Sequence, residues 1–148
     1  MKKSFQIGSI DEPSYKGARI YPREIVAAAI EEAQESIANK TFFVSRRSVE
    51  ANGFELIDII GIVRKLYIVD TGLFADIEFI ETPAWIEFQK TIQMMPWIDV
   101  DKIFTSVALG NVQESFSEDE PDTVTDDYKL IGVCAVLQTP KKKDSERA

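Results

Sequence analysis

The stretch from Leu56 to Phe79 constrains the fold more than any other part of the chain. Residues 56–69 carry Leu56, Ile57, Ile59, Ile60, Ile62, Val63, Leu66, Tyr67, Ile68 and Val69, an apolar and largely β-branched run that suits a pleated, buried surface. Gly61 inside it predicts a bulge or a bend. Asp70-Thr71-Gly72 then makes a turn, and Leu73, Ala75, Ile77 and Phe79 alternate with Asp76 and Glu78, the period of a half-buried strand. A long strand that turns back on itself and bends on the way predicts the centre of a curled, antiparallel sheet.

Two helices flank this hairpin. Ile25, Val26, Ala29, Ile30, Ala33 and Ile37 share one helical face while Glu31, Glu32 and Glu35 turn to water, which predicts a helix over about 22–39 with Pro22 in its first turn. Thr82-Pro83 opens a second helix as N-cap and first residue. Its apolar face is Trp85, Phe88, Ile92 and Met95, and Pro96 ends it. Phe42-Phe43-Val44, 103–112 and 130–137 read as further strands, the last covered on both faces. Residues 114–127, rich in Asp and Glu around Pro121, read as a solvated acidic loop. The order of elements lacks strict β-α alternation, so the fold class is α+β: a mainly antiparallel curled sheet or small β-barrel flanked by two helices. One domain spans 1–140, with the loop 114–127 inserted, and 141–148 is a charged, flexible tail. Ile62, Ile77, Val107 and Val133 are expected to share its core, and Trp85, Trp97, Phe88 and Phe104 also read as core.

Composition narrows the chemistry. The 148 residues contain no His, which removes the commonest general base and metal ligand. Cys134 is the single cysteine, so paired-thiolate zinc sites and intramolecular disulfides are excluded. Seventeen Lys and Arg stand against 25 Asp and Glu, a net charge of −8 that opposes a role in holding nucleic-acid phosphates. No apolar run approaches the roughly 20 residues of a membrane helix, and the N-terminus does not read as a signal peptide. The expectation is a soluble intracellular protein with no metal, cofactor or small-molecule substrate.

Each candidate group has a plainer reading. Ser106 lies in a predicted strand, where a serine is able to attack but here needs a Lys or carboxylate as base; most strand serines do no chemistry. Asp76 and Glu78 share a strand face and suit either a cation or simple exposure. Cys134 in an apolar strand reads as core. Arg46 and Arg47 form a compact positive spot able to grip a carboxylate or phosphate, although a loop arginine pair is commonly just solvated.

An ordered set of short motifs carries a resemblance. Gly17-Ala18-Arg19-Ile20-Tyr21-Pro22 with the helix after it, Ile59-Ile60-Gly61-Ile62-Val63, Leu73-Phe74-Ala75-Asp76-Ile77, Glu81-Thr82-Pro83 and Tyr128-Lys129-Leu130-Ile131-Gly132-Val133 resemble successive segments of the phage prohead (capsid maturation) proteases. The resemblance spans roughly residues 15–137. It implies the fold shared with herpesvirus assemblin, a bent β-barrel wrapped by helices, and an activity that cleaves scaffold and capsid proteins with a strand serine and a histidine. The serine segment falls on Thr105-Ser106-Val107-Ala108-Leu109-Gly110, with Val107-Ala108 where the family tends to show Arg-Gly. The histidine falls in 44–49, where this chain has Ser45, Arg46, Arg47 and Ser48.

A serine without its base loses its means of activation, while a fold that rests on apolar periodicity is untouched. The sequence therefore predicts no enzyme. It predicts a degenerate family member with Ser106 as a vestige, acting as a non-catalytic structural protein of a tailed-phage virion: a capsid-associated auxiliary, decoration or head-assembly protein. Its partners are capsid or other virion proteins, or copies of itself, with Arg46, Arg47, Lys141, Lys142 and Lys143 as contacts. The alternatives are a residual serine hydrolase or prohead protease that uses Ser106 with a base other than His, and an unrelated small binding module.

Overall fold

The hairpin foreseen at the centre is present. The computed structural model describes residues 2–11, 19–47, 53–109, 112–113, 122–124 and 128–137. Along the chain these form β1 (Lys2–Ser9), β2 (Arg19–Ile20), α1 (Arg23–Ala38), β3 (Phe43–Ser45), β4 (Ile59–Val69), β5 (Gly72–Phe79), α2 (Pro83–Gln93), β6 (Phe104–Leu109), β7 (Val112–Gln113), β8 (Asp122–Val124) and β9 (Lys129–Ala135). Single 3-10 turns stand at Leu56–Asp58 and Val100–Lys102.

The main sheet has the order β1-β5-β4-β3-β9-β6, and β2-β8-β7 form a second, small sheet. In the main sheet every pairing is antiparallel except β3 with β9, which is parallel. Gly61 serves the bend. Ile60 is an extra residue between the partners of Val44 and Ser45, and a Cβ at Gly61 would lie 2.7 Å from the Glu78 carbonyl oxygen, so only glycine lets β5 approach this closely. The sheet curls until its two edge strands meet. The Phe5 ring on β1 lies 4.8 Å from that of Phe104 on β6, and Lys3 Nζ reaches Asp101 Oδ1 at 2.8 Å. The result is an α+β half-barrel with two helices.

The core lies inside the curl, with Val44, Ile60, Val63, Ile77 and Val133 among its fully buried members. α1 closes it with Val26, Ala29, Ala33 and Ile37, and α2 with Ala84 and Phe88. The Asp11 side chain accepts from Arg23 N at 2.9 Å, which satisfies an amide at the start of α1 that no helical carbonyl serves. Thr82 caps α2 as expected, accepting from Trp85 N.

Several expectations need correction. β1 (Lys2–Ser9) is a strand that the sequence reading did not assign. Residues 56–58 form a 3-10 turn, because Asp58 N bonds back to the Glu55 carbonyl, and the strand begins only at Ile59. Residues 122–124, expected in a loop, form β8 between β2 and β7; the rest of 114–127 lies outside the described residues, as does the tail 141–148. Ile77 and Val133 share the core, whereas Ile62 is buried outside the main cluster and Val107 is half-buried. Neighbours along a strand point to opposite faces, so Ile62 and Val63 do not serve the same core. Trp97 is 52% exposed because it follows the end of α2 in a turn rather than on its inner face.

Candidate functional site

Ser106 sits on β6 opposite Val133 of β9, and Val133 in turn lies opposite Val44 of β3. This row crosses the sheet from Ser106 to the start of the segment where the resemblance places a histidine. Val44 is fully buried, so the row offers an apolar side chain there. Ser45 and Cys134 are buried on the alternate face, where Ser45 Oγ accepts from Arg47 N at 3.1 Å.

The partner of Ser106 is Tyr128, whose phenol shares a hydrogen bond with it. Tyr128 is 8% exposed, and its ring lies 5.5 Å from that of Tyr21. Burial, and to a lesser degree Tyr21, push the Tyr128 phenol well above its usual range, while the bond to Ser106 pulls slightly the other way. A phenol so placed keeps its proton at neutral pH and is no base for the serine. Across the seam between the sheet edges stands Gly8, where a Cβ would lie 3.7 Å from Ser106 Oγ. Tyr128 also lines a cavity of about 400 Å³ between α1 and the start of β9, bordered by Glu32, Glu35, Ser36 and Lys129. Nothing in sequence spacing signalled this role for Tyr128.

A second cluster surrounds Arg46 and Arg47. Both donate Nε–H to Asp58 Oδ1, at 2.9 and 3.0 Å, and Arg46 also pairs through Nη1 with Glu87 of α2. Arg46 is largely buried and committed to this network, whereas the Arg47 side chain is 69% exposed. The hydrogen bond from Arg46 holds the Glu87 carboxyl below the usual carboxylate range, and Glu87 followed by Asp58 raises the Arg46 guanidinium. Asp58 and Glu87 are 12 and 41 residues from Arg46 in sequence, beyond the reach of any local motif. Lys141, Lys142 and Lys143 lie outside the described residues.

Asp76 accepts from Ser4 and from Tyr67 (3.1 Å), and Glu78 pairs with Arg64 at 3.5 Å. Both side chains therefore belong to cross-strand contacts of an interior strand. Among the described residues no group of three or more His, Cys, Asp or Glu is arranged to hold a metal ion, and no helix is long and apolar enough to cross a membrane.

This arrangement, a half-barrel with a strand serine at its seam and two helices against it, is a prohead-protease-like fold. The structure of the bacteriophage T4 capsid assembly protease gp21 superposes with a TM-score of 0.76 over 93% of this chain and 82% of that one, at 16% sequence identity. No family model matches the sequence, and no curated protein matches it. The expectation of no enzyme is corrected by this likeness: gp21 is a protease. The expectation weighed the missing histidine and the altered serine segment above the fold, and that fold is one on which an enzyme is built.

Proposed function

We propose that the chain acts in the head assembly of a tailed phage by binding capsid or other virion proteins, and that it resides with them in the particle. The observation that carries this reading is the extent of the likeness to a capsid assembly protease, which takes in nearly the whole chain. The basic side chains at Arg47 and at Lys141-Lys142-Lys143 are the proposed contacts, with Arg46 holding Arg47's neighbourhood in place through Asp58. Contacts among exposed charges weaken with salt, since the Debye length falls to about 3 Å at 1 M. The purified protein is expected to co-sediment with assembled heads at low salt and to be partly released at high salt, less of it being retained when Arg47 and the three lysines are replaced by Ser. Indifference to heads at every ionic strength removes the reading and leaves an unrelated binding module.

One observation favours a second reading, hydrolysis of a virion protein by Ser106 with a base other than histidine. The serine stands at the seam of a protease-like fold, faced by a glycine rather than a covering side chain. Labelling by a fluorophosphonate that disappears in Ser106→Ala, together with cleavage of capsid or scaffold protein, supports it; absence of both removes it.

A further inference from the structure

The exposed large apolar side chains among the described residues are Leu56, Ile57, Val69, Ile86, Met94 and Trp97, and all but Val69 gather on or beside α2. This helix has two faces. Ala84 and Phe88 are buried in the core. Pro83, Ile86, Glu87, Lys90 and Met94 recur at three- and four-residue spacings and are all exposed, so they form one outward stripe. The stripe is apolar at both ends, with one acid and one base between. Trp97 follows its C-terminal end. Leu56 and Ile57 border its N-terminal end, because Thr82 Oγ1 donates to the Ile59 carbonyl at 2.9 Å and Arg46 joins Asp58 to Glu87.

We infer that this face of α2 is a two-fold interface between copies of the chain. A two-fold axis brings residue i of one copy against j of the other and j against i. Two α2 helices laid antiparallel, with the axis between Glu87 and Lys90, set each Glu87 against the second copy's Lys90. Pro83 and Ile86 then cover the second copy's Met94, and Trp97 falls towards its Leu56 and Ile57. Lys90 makes no salt bridge among the described residues, and Arg46 takes only Oε1 of Glu87, so both groups have capacity for this pairing. An exposed Trp and Met at one end and three branched aliphatic side chains at the other supply the apolar centre that association requires. The polar middle fixes the antiparallel direction, since a parallel pairing sets Glu87 against Glu87 and Lys90 against Lys90.

The inference stands apart from any role in a phage head, and its test uses the purified full chain alone. Sedimentation velocity over a concentration series is expected to show a monomer–dimer equilibrium. Ile86→Glu and Lys90→Glu should each weaken the dimer by about tenfold or more, the scale of losing a central contact. Val69→Lys, an exposed apolar site away from α2, should leave it unchanged. All three positions are exposed, and unaltered circular dichroism confirms that the variants fold. A wild-type protein that is monomeric at every concentration overturns the inference. So does a dimer that tolerates Ile86→Glu and Lys90→Glu. Loss of head binding in Ile86→Glu, with the wild type monomeric, assigns the face to a virion protein instead.

Discussion

Tyr128 shows how much a single side chain here depends on its neighbours. Its ring is buried against Tyr21 and its hydroxyl is bonded to Ser106, and burial raises the phenol above the usual value of about 10. The unfolded chain therefore loses this proton at a pH where the folded chain still holds it. The associated stability is fully present below about pH 10 and is lost as pH rises through the folded value. Urea unfolding across alkaline pH is expected to show this decline in the wild type and a shallower one in Tyr128→Phe. At neutral pH the same variant should lose about 0.5–1.5 kcal/mol, the net worth of one hydrogen bond. Equal alkaline slopes for the two proteins refute burial of Tyr128 as the source. Ser106 was legible as a strand serine because its own strand announces itself locally. Its partner was not, because the contact arises from how β6 lies against β9 and the residue just ahead of it.

Among the elements, β3, the 3-10 turn and α2 are fastened through one carboxylate. Asp58, 8% exposed, receives Nε–H from both Arg46 and Arg47, and Arg46 carries the link on to Glu87. Asp58→Asn removes the charge and keeps the shape, so a largely buried Arg46 is left with only the exposed Glu87. Breaking a buried pair in this way costs on the order of 3 kcal/mol. Chemical denaturation is expected to show a loss of that order for Asp58→Asn and well under 1 kcal/mol for Arg47→Gln, whose guanidinium is mostly in water. Similar losses for the two would mean that the network does not depend on the buried arginine. This linkage was invisible in sequence, where Arg46-Arg47 read as a free positive spot. The hairpin, α1 and α2 were legible because their periodicities are local and long. β1 passed unread although Phe5 and Ile7 alternate with Ser4 and Gln6, a signal only a few residues long beside two lysines. β8 was hidden by the surrounding acids, since three residues of strand have little pattern to set against a charge run. The single turn at 56–58 was absorbed into the apolar run that continues beyond it.

At the scale of the whole molecule, an open six-stranded sheet has to be held in its curl. The parallel contact between β3 and β9 joins the central hairpin to the C-terminal strands, but it leaves β1 and β6 as edges. An aromatic cluster brings these edges together. Phe104 of β6 lies 4.8 Å from Phe5 of β1, 5.9 Å from Phe79 of β5 and 6.2 Å from Phe88 of α2, and Phe79 stacks on Trp85 at 4.3 Å. Phe104 is 3% exposed, so it touches the first strand, the hairpin and the second helix at once. Phe104→Ala should cost about 3–5 kcal/mol, as truncation of a buried aromatic does, and should reduce the near-ultraviolet circular dichroism that Trp85 gains from its stacked setting. Phe74→Ala is the matched control: Phe74 is half-buried and, among the described residues, stacks on Tyr67 alone, at 5.8 Å, so its loss should be clearly smaller. Hydrogen exchange locates the effect, because a seam held by Phe104 should lose protection along β1 and β6 before the β4–β5 hairpin does. If Phe104→Ala costs no more than Phe74→Ala, or if the hairpin exchanges first, the curl is held by the backbone pairing of the sheet and not by its aromatic seam.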